Sequence, residues 1–142
     1  MRKQITTFYV ETLLLIAVFI GTILVLTQVF GAAKVQSAQA RLLNHAVLLA
    51  ENAAEAVAAS DSPEALAALL NENDNAAYSP EERAVWAFYN ADMTPARGDL
   101  AVKITWEPWR GLVSSEIIVY RESSEQVLYT LDTAVYLREA AE

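Results

Sequence analysis

Few side chains in this sequence are suited to catalysis or metal binding. The 142 residues include one histidine, His45, and no cysteine. Zinc sites need several converging ligands, so a lone helical histidine is better explained as a solvated side chain. There is no glycine-rich phosphate loop, and no serine, histidine and aspartate stand in a recognisable catalytic arrangement. We therefore expect no enzymatic activity, no metal, no cofactor and no small-molecule substrate.

A short polar run, residues 71–75 (NENDN), offers the oxygen-bearing side chains that calcium prefers. It lacks both the glycine and the distant glutamate of an EF-hand loop. A solvated loop is the favoured interpretation.

Three tryptophans could either pack or bind. Trp86 and Trp106 lie in segments with strand patterns, where tryptophan is more often part of the core. Trp109 follows Pro108 in an expected loop, and interfaces favour tryptophan. Trp109 is therefore a candidate interaction surface, with a packed position as the alternative.

Glu11 is the charged residue with the most unusual surroundings. It follows Phe8, Tyr9 and Val10 and precedes an uncharged run, residues 12–30 (TLLLIAVFIGTILVLTQVF). An ionised carboxylate inside lipid is unfavourable unless it has a partner or reaches the interface. Two interpretations stay open. Either Glu11 marks a membrane boundary beside Tyr9 in the headgroup layer, or a cation on another subunit matches its charge.

The run from Thr12 to Phe30 is long enough to cross a membrane. It contains no charge and no proline, and about 20 such residues span a hydrocarbon core of roughly 30 Å. In lipid, only a helix satisfies every backbone hydrogen bond within one segment. Arg2 and Lys3 precede the run, so the positive-inside rule predicts a cytoplasmic N-terminus. Residues from about Gly31 onward would then lie outside the cytoplasm.

Two alternatives to a permanent membrane helix remain. Residues 31–33 (GAA) are small enough for a signal peptidase site, but the apolar run is longer than the roughly 7–15 residues of a signal-peptide core. A buried helix in a soluble protein is the other alternative. The rest of the chain makes a small domain with little core to cover such a helix.

The region after the apolar run is strongly acidic. The formal net charge of the chain is −8, and setting aside Arg2, Lys3 and Glu11 leaves residues 31–142 with −9. Such a surface repels phosphate backbones, so we expect this region to bind no nucleic acid. A net charge of this size also favours solubility.

Helical patterns continue beyond the apolar run. Residues 32–60 contain no glycine or proline and are rich in alanine, the best helix former. Asp61 or Ser62 can cap a second helix, and Pro63 suits its first position. We predict an amphipathic continuation over residues 31–60 and a short helix ending near Leu70. The apolar stripe of the continuation comprises Leu42, Leu43, Ala46, Val47, Ala50, Ala53, Ala54 and Val57.

After Pro80 the spacing of apolar residues changes from the helical repeat to patterns typical of strands. Four segments show branched, aromatic or alternating patterns, and the last places Val127 and Tyr129 on one face. Short connections favour an antiparallel meander, whose apolar face the alanine-rich stripe can cover. The predicted fold is α+β, with a long N-terminal helix packed on a four-stranded antiparallel sheet. The four predicted strands are residues 84–89, 100–106, 112–121 and 126–137.

The segment TTFYVETLLLIAVFIGTILVLTQVF resembles the N-terminus of type IV pilins and type II secretion pseudopilins. That family has a short basic leader, then a phenylalanine or similar residue, a glutamate at the fifth mature position and a long apolar helix. The resemblance implies that Phe8 and Glu11 are assembly residues and that Thr6, Thr7 and Phe8 surround a processing site. The family usually has glycine before the cleavage point, where this chain has threonine.

The resemblance further implies a minor structural subunit of a type IV pilus, type II secretion or DNA-uptake filament. The partners of the N-terminal helix would be the lipid bilayer and other pilin-like subunits. The alternative is a single-pass, membrane-anchored extracellular binding or sensor module without a filament role, in which Ala17 and Gly21 pair helices. The predicted domains are a cytoplasmic leader (1–7), a transmembrane helix (8–30), its amphipathic continuation (31–60) and an extracytoplasmic domain (61–142).

Overall fold

The computed structural model describes residues 2–137, which form two helices followed by six strands. Contacts divide the chain into two compact units, one ending at Ala40 and the other beginning at Arg41. The predicted α+β class is confirmed, whereas the prediction of four strands is wrong because it omitted two short ones. The elements are α1 (Arg2–Ala59), α2 (Pro63–Leu70), β1 (Ala76–Ser79), β2 (Ala84–Tyr89), β3 (Leu100–Thr105), β4 (Glu107–Trp109), β5 (Leu112–Arg121) and β6 (Gln126–Tyr136).

Helix α1 runs for 58 residues without a proline. In the unit that ends at Ala40, its apolar side chains are exposed, and no residue of its most apolar window is buried. The helix is long and apolar enough to span a membrane. Four of its five threonine hydroxyls donate to carbonyls four residues earlier, so these polar groups are satisfied without water. These hydroxyls belong to Thr6, Thr7, Thr22 and Thr27.

The break between the helices uses the predicted capping residues. At the end of α1, Ser60 Oγ donates to Ala56 O over 2.7 Å. Ser62 is the N-cap of α2, and its hydroxyl accepts from Ala65 N at 3.1 Å. Pro63 occupies the first turn, where its missing N–H removes no helical hydrogen bond. The predicted restart of the helix is confirmed.

All strand pairs in the sheet are antiparallel, as the predicted meander requires. β1, β2, β3 and β5 are neighbours in that order, and β4 and β6 also pair with β5. β3 and β4 lie along the same side of β5 in one register, with Ile104 opposite Ile117 and Glu107 opposite Ser114. They are thus two parts of one interrupted strand.

The interruption between β3 and β4 lies at Trp106. Trp106 N donates to Arg83 O at 3.0 Å, in the connection before β2. Thr105 Oγ1 accepts from Glu116 N at 2.8 Å, so a side chain replaces a main-chain acceptor beside β5. The strand predicted to continue through Trp106 therefore ends one residue earlier.

β1 and β4 are the strands that the sequence prediction missed. β1 is only four residues long, and Pro108 made residues 107–111 resemble a loop. The turn after β4 is formed by Arg110 and Gly111, whose φ angles are 50° and 79°. Positive φ at both positions is typical of a type I′ hairpin, whose twist matches that of the strands.

β6 departs from its predicted alternation near its start. Its pairing shifts between Val119 and Tyr120, which lie opposite Tyr129 and Val127. Leu128 is therefore the extra residue of a β-bulge. The bulge moves Val127 to the face opposite Tyr129, where it is exposed. The prediction that these two residues share a face is wrong.

The core lies in the unit that begins at Arg41, between the helices and one face of the sheet, here called the core face; the other is the open face. Alanine supplies most of the helical side of this core, because small side chains allow close packing on a sheet. Leu49 and Ala56 are buried although the predicted stripe omitted them, and Leu43 of that stripe is exposed. The core includes Ala46, Leu49, Ala50, Ala53, Ala56, Val57 and Leu66 from the helices and Val85, Ala87, Leu100, Val102, Ile104, Val113, Ile117 and Val119 from the sheet.

Candidate functional site

Glu11 is exposed on α1 and has no cation within helical reach. Residues three and four positions away are the neighbours with which a helical side chain can pair. In this chain they are Thr7, Phe8, Leu14 and Leu15. Within residues 2–137 the salt bridge present is Lys103–Glu82, so Glu11 forms no ion pair in this part of the chain. Residues 2–137 thus supply no cation for Glu11, whereas another molecule or lipid headgroups can supply one.

The other predicted assembly and processing residues lie within the turn before Glu11. Phe8 is exposed, three residues before Glu11 on the same helix. Thr6 and Thr7 are helical, and each hydroxyl donates to a carbonyl one turn earlier at 2.8 Å. The structure thus brings Phe8 and Glu11 together on one exposed surface. Processing at this segment stays a prediction.

His45 occupies a structural position. Its Nδ1 lies 2.9 Å from Ala91 O, which links α1 to the connection between β2 and β3. Within residues 2–137, no group of three or more histidine, aspartate and glutamate side chains is arranged to hold a metal ion.

The polar run at residues 71–75 is organised by Asn75, which is fully buried. Asn75 Oδ1 accepts from Glu72 N at 3.0 Å, and its Nδ2 donates to Phe88 O at 3.2 Å. The expectation of a wholly solvated loop is therefore wrong at Asn75. Its amide closes the loop and joins it to β2.

The open face carries an aromatic cluster formed by Trp86, Phe88 and Tyr120. The Trp86 ring is stacked on both others, with centroids 6.3 Å from Phe88 and 6.1 Å from Tyr120. The solvated face of an antiparallel sheet is commonly polar, so three large rings here mark a candidate binding surface. The expected core position is confirmed for Trp106 and wrong for Trp86, which is only half-buried.

Lys103 and Glu82 lie beside this cluster. Lys103 Nζ is 3.1 Å from Glu82 Oε2 and 5.2 Å from the centre of the Trp86 ring. Trp86 Nε1 donates to the same carboxylate oxygen at 3.1 Å. The hydrogen bond from Lys103, and to a smaller extent the one from Trp86, lowers the pKa of the Glu82 carboxyl below its usual value. The charge of Lys103 is thus already matched within the chain.

A cleft of about 380 Å³ opens next to the same rings. Ala101 lies directly opposite Phe88 on β2 and directly opposite Tyr120 on β5. A small side chain between two aromatic ones leaves a depression in the open face. The cleft is lined by Trp86, Phe88, Ala101, Tyr120, Glu122 and Glu125.

Trp109 lies at the far end of the open face, in β4 rather than in the predicted loop. Its side chain is 67% exposed, and Arg110 Cζ lies 4.7 Å from its ring centre. Leu112 lies between Trp109 and Tyr136 on adjacent strands, and Tyr136 is exposed as well. The role of Trp109 as an interaction surface stays a prediction.

The cleft was missed by sequence reasoning because it depends on strand register. One signal was available: residues 84–89 (AVWAFY) are apolar on both faces of the strand, although one face of an antiparallel sheet usually meets water. In layout, the long N-terminal helix and the antiparallel sheet give a pilin-like architecture. No protein-family model, no curated protein and no solved structure matches the chain.

Proposed function

We propose that this protein is a pilin-like or pseudopilin-like minor structural subunit that assembles through α1 into a pilus, secretion or DNA-uptake filament. The observation that carries the proposal is Glu11, a carboxylate at the start of an exposed apolar helix with no cation within helical reach. The order of a long helix followed by an antiparallel sheet supports the same proposal.

The physical basis is the free energy of a charge in lipid. Insertion scales assign about 2.5–3.5 kcal/mol to a charged residue at the centre of a membrane helix, and less near the interface. A positive group on a neighbouring subunit offsets part of this penalty. The resemblance to pilins implies that the group is the neighbour's N-terminal amine. The charge of Glu11 is then less unfavourable in an assembly than in an isolated chain, and this difference favours association.

The remainder of the apolar segment suits a shared helical core. From Leu13 to Val29 the side chains are exposed around the whole helix. Lipid would cover them in a single chain, and neighbouring helices would cover them in a filament. Since Arg2 and Lys3 precede the segment, the N-terminus would be cytoplasmic and the unit that begins at Arg41 extracytoplasmic.

Photo-crosslinking in the membranes of the producing cell tests this assembly. A photoreactive amino acid replaces one residue at a time between positions 13 and 29, and the adducts are resolved by mass. We expect adducts from positions on more than one side of α1, because a filament surrounds each helix with neighbours. Adducts confined to one side, or none, would contradict the filament.

The role of Glu11 is tested in the same membranes. Glu11→Gln should lower the adduct yield about tenfold, the effect of losing about 1.4 kcal/mol. Glu55→Gln is the matched control, because Glu55 is an exposed carboxylate on the same helix beyond the apolar segment. Unchanged yields in Glu11→Gln would exclude charge matching at this residue.

The second candidate is a single-pass, membrane-anchored extracellular binding or sensor module. The cleft on the open face favours it, because ligand sites are concave and apolar with a few polar groups. Ala17 and Gly21 would then pair two helices. Intact mass spectrometry of the protein from native membranes separates the candidates. Loss of residues up to Thr6 or Thr7 supports the filament subunit, and a full-length mass gives the anchored module equal standing.

A further inference from the structure

The cleft on the open face has aromatic walls and a small floor. Phe88 and Tyr120 form the walls, and Ala101 on the strand between them forms the floor. Neighbouring strands are about 4.8 Å apart, so the two walls rise from backbones roughly 10 Å apart. That separation admits one unbranched side chain lying between the rings.

The two ends of the cleft differ in charge. At one end, Trp86 closes the cleft, and the nearby Glu82 is paired with Lys103. At the other end, Glu122 and Glu125 are the first and last residues of the turn between β5 and β6. Within residues 2–137 neither of these two carboxylates takes part in a salt bridge. The acidic end therefore lacks a matching cation in the described part of the chain.

We propose that this cleft binds the side chain of an arginine or lysine from a basic segment of a partner protein. The aliphatic stem of such a side chain packs between the rings. Its charged head is attracted by the ring faces and by the carboxylates of Glu122 and Glu125. The net charge of −9 on residues 31–142 attracts the same kind of partner at longer range. The inference does not depend on filament assembly.

Fluorine NMR of the full chain in neutral detergent micelles tests the proposal. The protein carries 5-fluorotryptophan at its three tryptophans, and the probe is the peptide Gly-Arg-Gly-Arg-Gly. We expect a saturable shift of the Trp86 signal, which lies in the cleft, and no shift of the Trp106 signal, which lies in the core. The peptide Gly-Gln-Gly-Gln-Gly should leave both signals in place. Equal shifts with both peptides would overturn the proposal.

Two variants separate the cleft from general attraction to an acidic protein. Glu122→Gln combined with Glu125→Gln should weaken peptide binding about tenfold, as expected for the loss of charged partners. The matched control is Glu116→Gln with Asp132→Asn, a directly opposed exposed pair elsewhere on β5 and β6. Equal weakening by both double variants would overturn the site.

Ala101→Leu tests the shape of the cleft without changing its charge. The larger side chain fills the floor between the rings, so binding should weaken about tenfold. The Trp106 signal reports whether the variant keeps its core. Unchanged binding in a folded Ala101→Leu variant would show that the peptide does not enter the cleft.

A second copy of this chain is another source of a basic side chain. Arg110 is exposed in the turn between β4 and β5, at the opposite end of the open face. Analytical ultracentrifugation over a range of concentrations detects such self-association. If self-association occurs and Arg110→Gln abolishes it, the occupant is a second copy, and the assignment to a different protein is overturned.

Discussion

The two parts of α1 differ in which apolar side chains they expose and which they bury. Between Leu13 and Val29 bulky apolar residues are exposed on every side, whereas between Ala46 and Val57 the buried residues are mostly alanine. In a soluble domain, leucine, isoleucine, valine and phenylalanine are among the residues most often buried. The first part of the helix therefore requires an apolar environment that the described chain does not supply.

The difference is the one expected if the first part of α1 contacts lipid, as in the proposed function, and the second part packs on the sheet. Lipid chains adapt to bulky side chains, and the favourable free energy grows with the apolar area removed from water. A packed sheet does not adapt, so the helix approaches it closely only through small side chains. Exposure alone is therefore ambiguous. Leu24 is 59% exposed and Leu43 is 48% exposed, yet Leu24 lies in the apolar segment and Leu43 lies beyond it.

The same substitution at these two leucines gives the largest expected effect. Leu24→Arg puts a charge near the middle of the apolar segment, which disfavours insertion by about 2.5–3.5 kcal/mol. We expect a clear loss of protein from the carbonate-resistant membrane fraction. Leu43→Arg is the control and should leave that fraction unchanged. Equal partitioning of the two variants would show that the two parts of α1 share one environment.

A smaller effect is expected when an alanine in each part of α1 is replaced by leucine. Ala50 is fully buried in the core, so Ala50→Leu overpacks it and should lower the free energy of unfolding by about 1–3 kcal/mol. Ala17 is exposed in the apolar segment, so Ala17→Leu should change this quantity little. Denaturant unfolding followed by near-ultraviolet circular dichroism measures both. Similar losses in both variants would mean that Ala17 is also packed.

The fold was predictable where local signals agreed. Ser62 and Pro63 mark the start of α2, a continuous apolar run gives the bounds of β2, and branched and aromatic residues near its end indicate β5. β1 and β4 were missed because each is a short strand stabilised by its neighbour rather than by its own pattern. The bulge at Leu128 is also invisible in sequence, because Val127 and Tyr129 satisfy a simple alternation.

The candidate sites also differ in whether the sequence alone reveals them. Glu11 is visible in the sequence because its context is local, a charge beside an apolar run. The cleft is not visible, because its walls and floor come from three strands and depend on Ala101 lying opposite both Phe88 and Tyr120. Residues far apart in sequence meet only when the register is known, and a one-residue shift would point them to the other face.

The smallest expected effect concerns the ion pair between Glu82 and Lys103 beside the aromatic cluster. Within residues 2–137, Glu11 has no such partner. The hydrogen bonds from Lys103 and Trp86 lower the pKa of Glu82 from its ordinary value of 4.5, so the charged carboxylate is favoured in the folded state. The stability that the charged carboxylate adds is fully present above the ordinary pKa. It is lost as the pH falls through the lowered pKa of the folded state. Glu82→Gln should therefore reduce the loss of stability between pH 6 and about pH 3, measured by thermal unfolding. Glu81→Gln removes the neighbouring exposed carboxylate as a control, and an identical pH profile in the two variants would show that the pair with Lys103 adds nothing to stability.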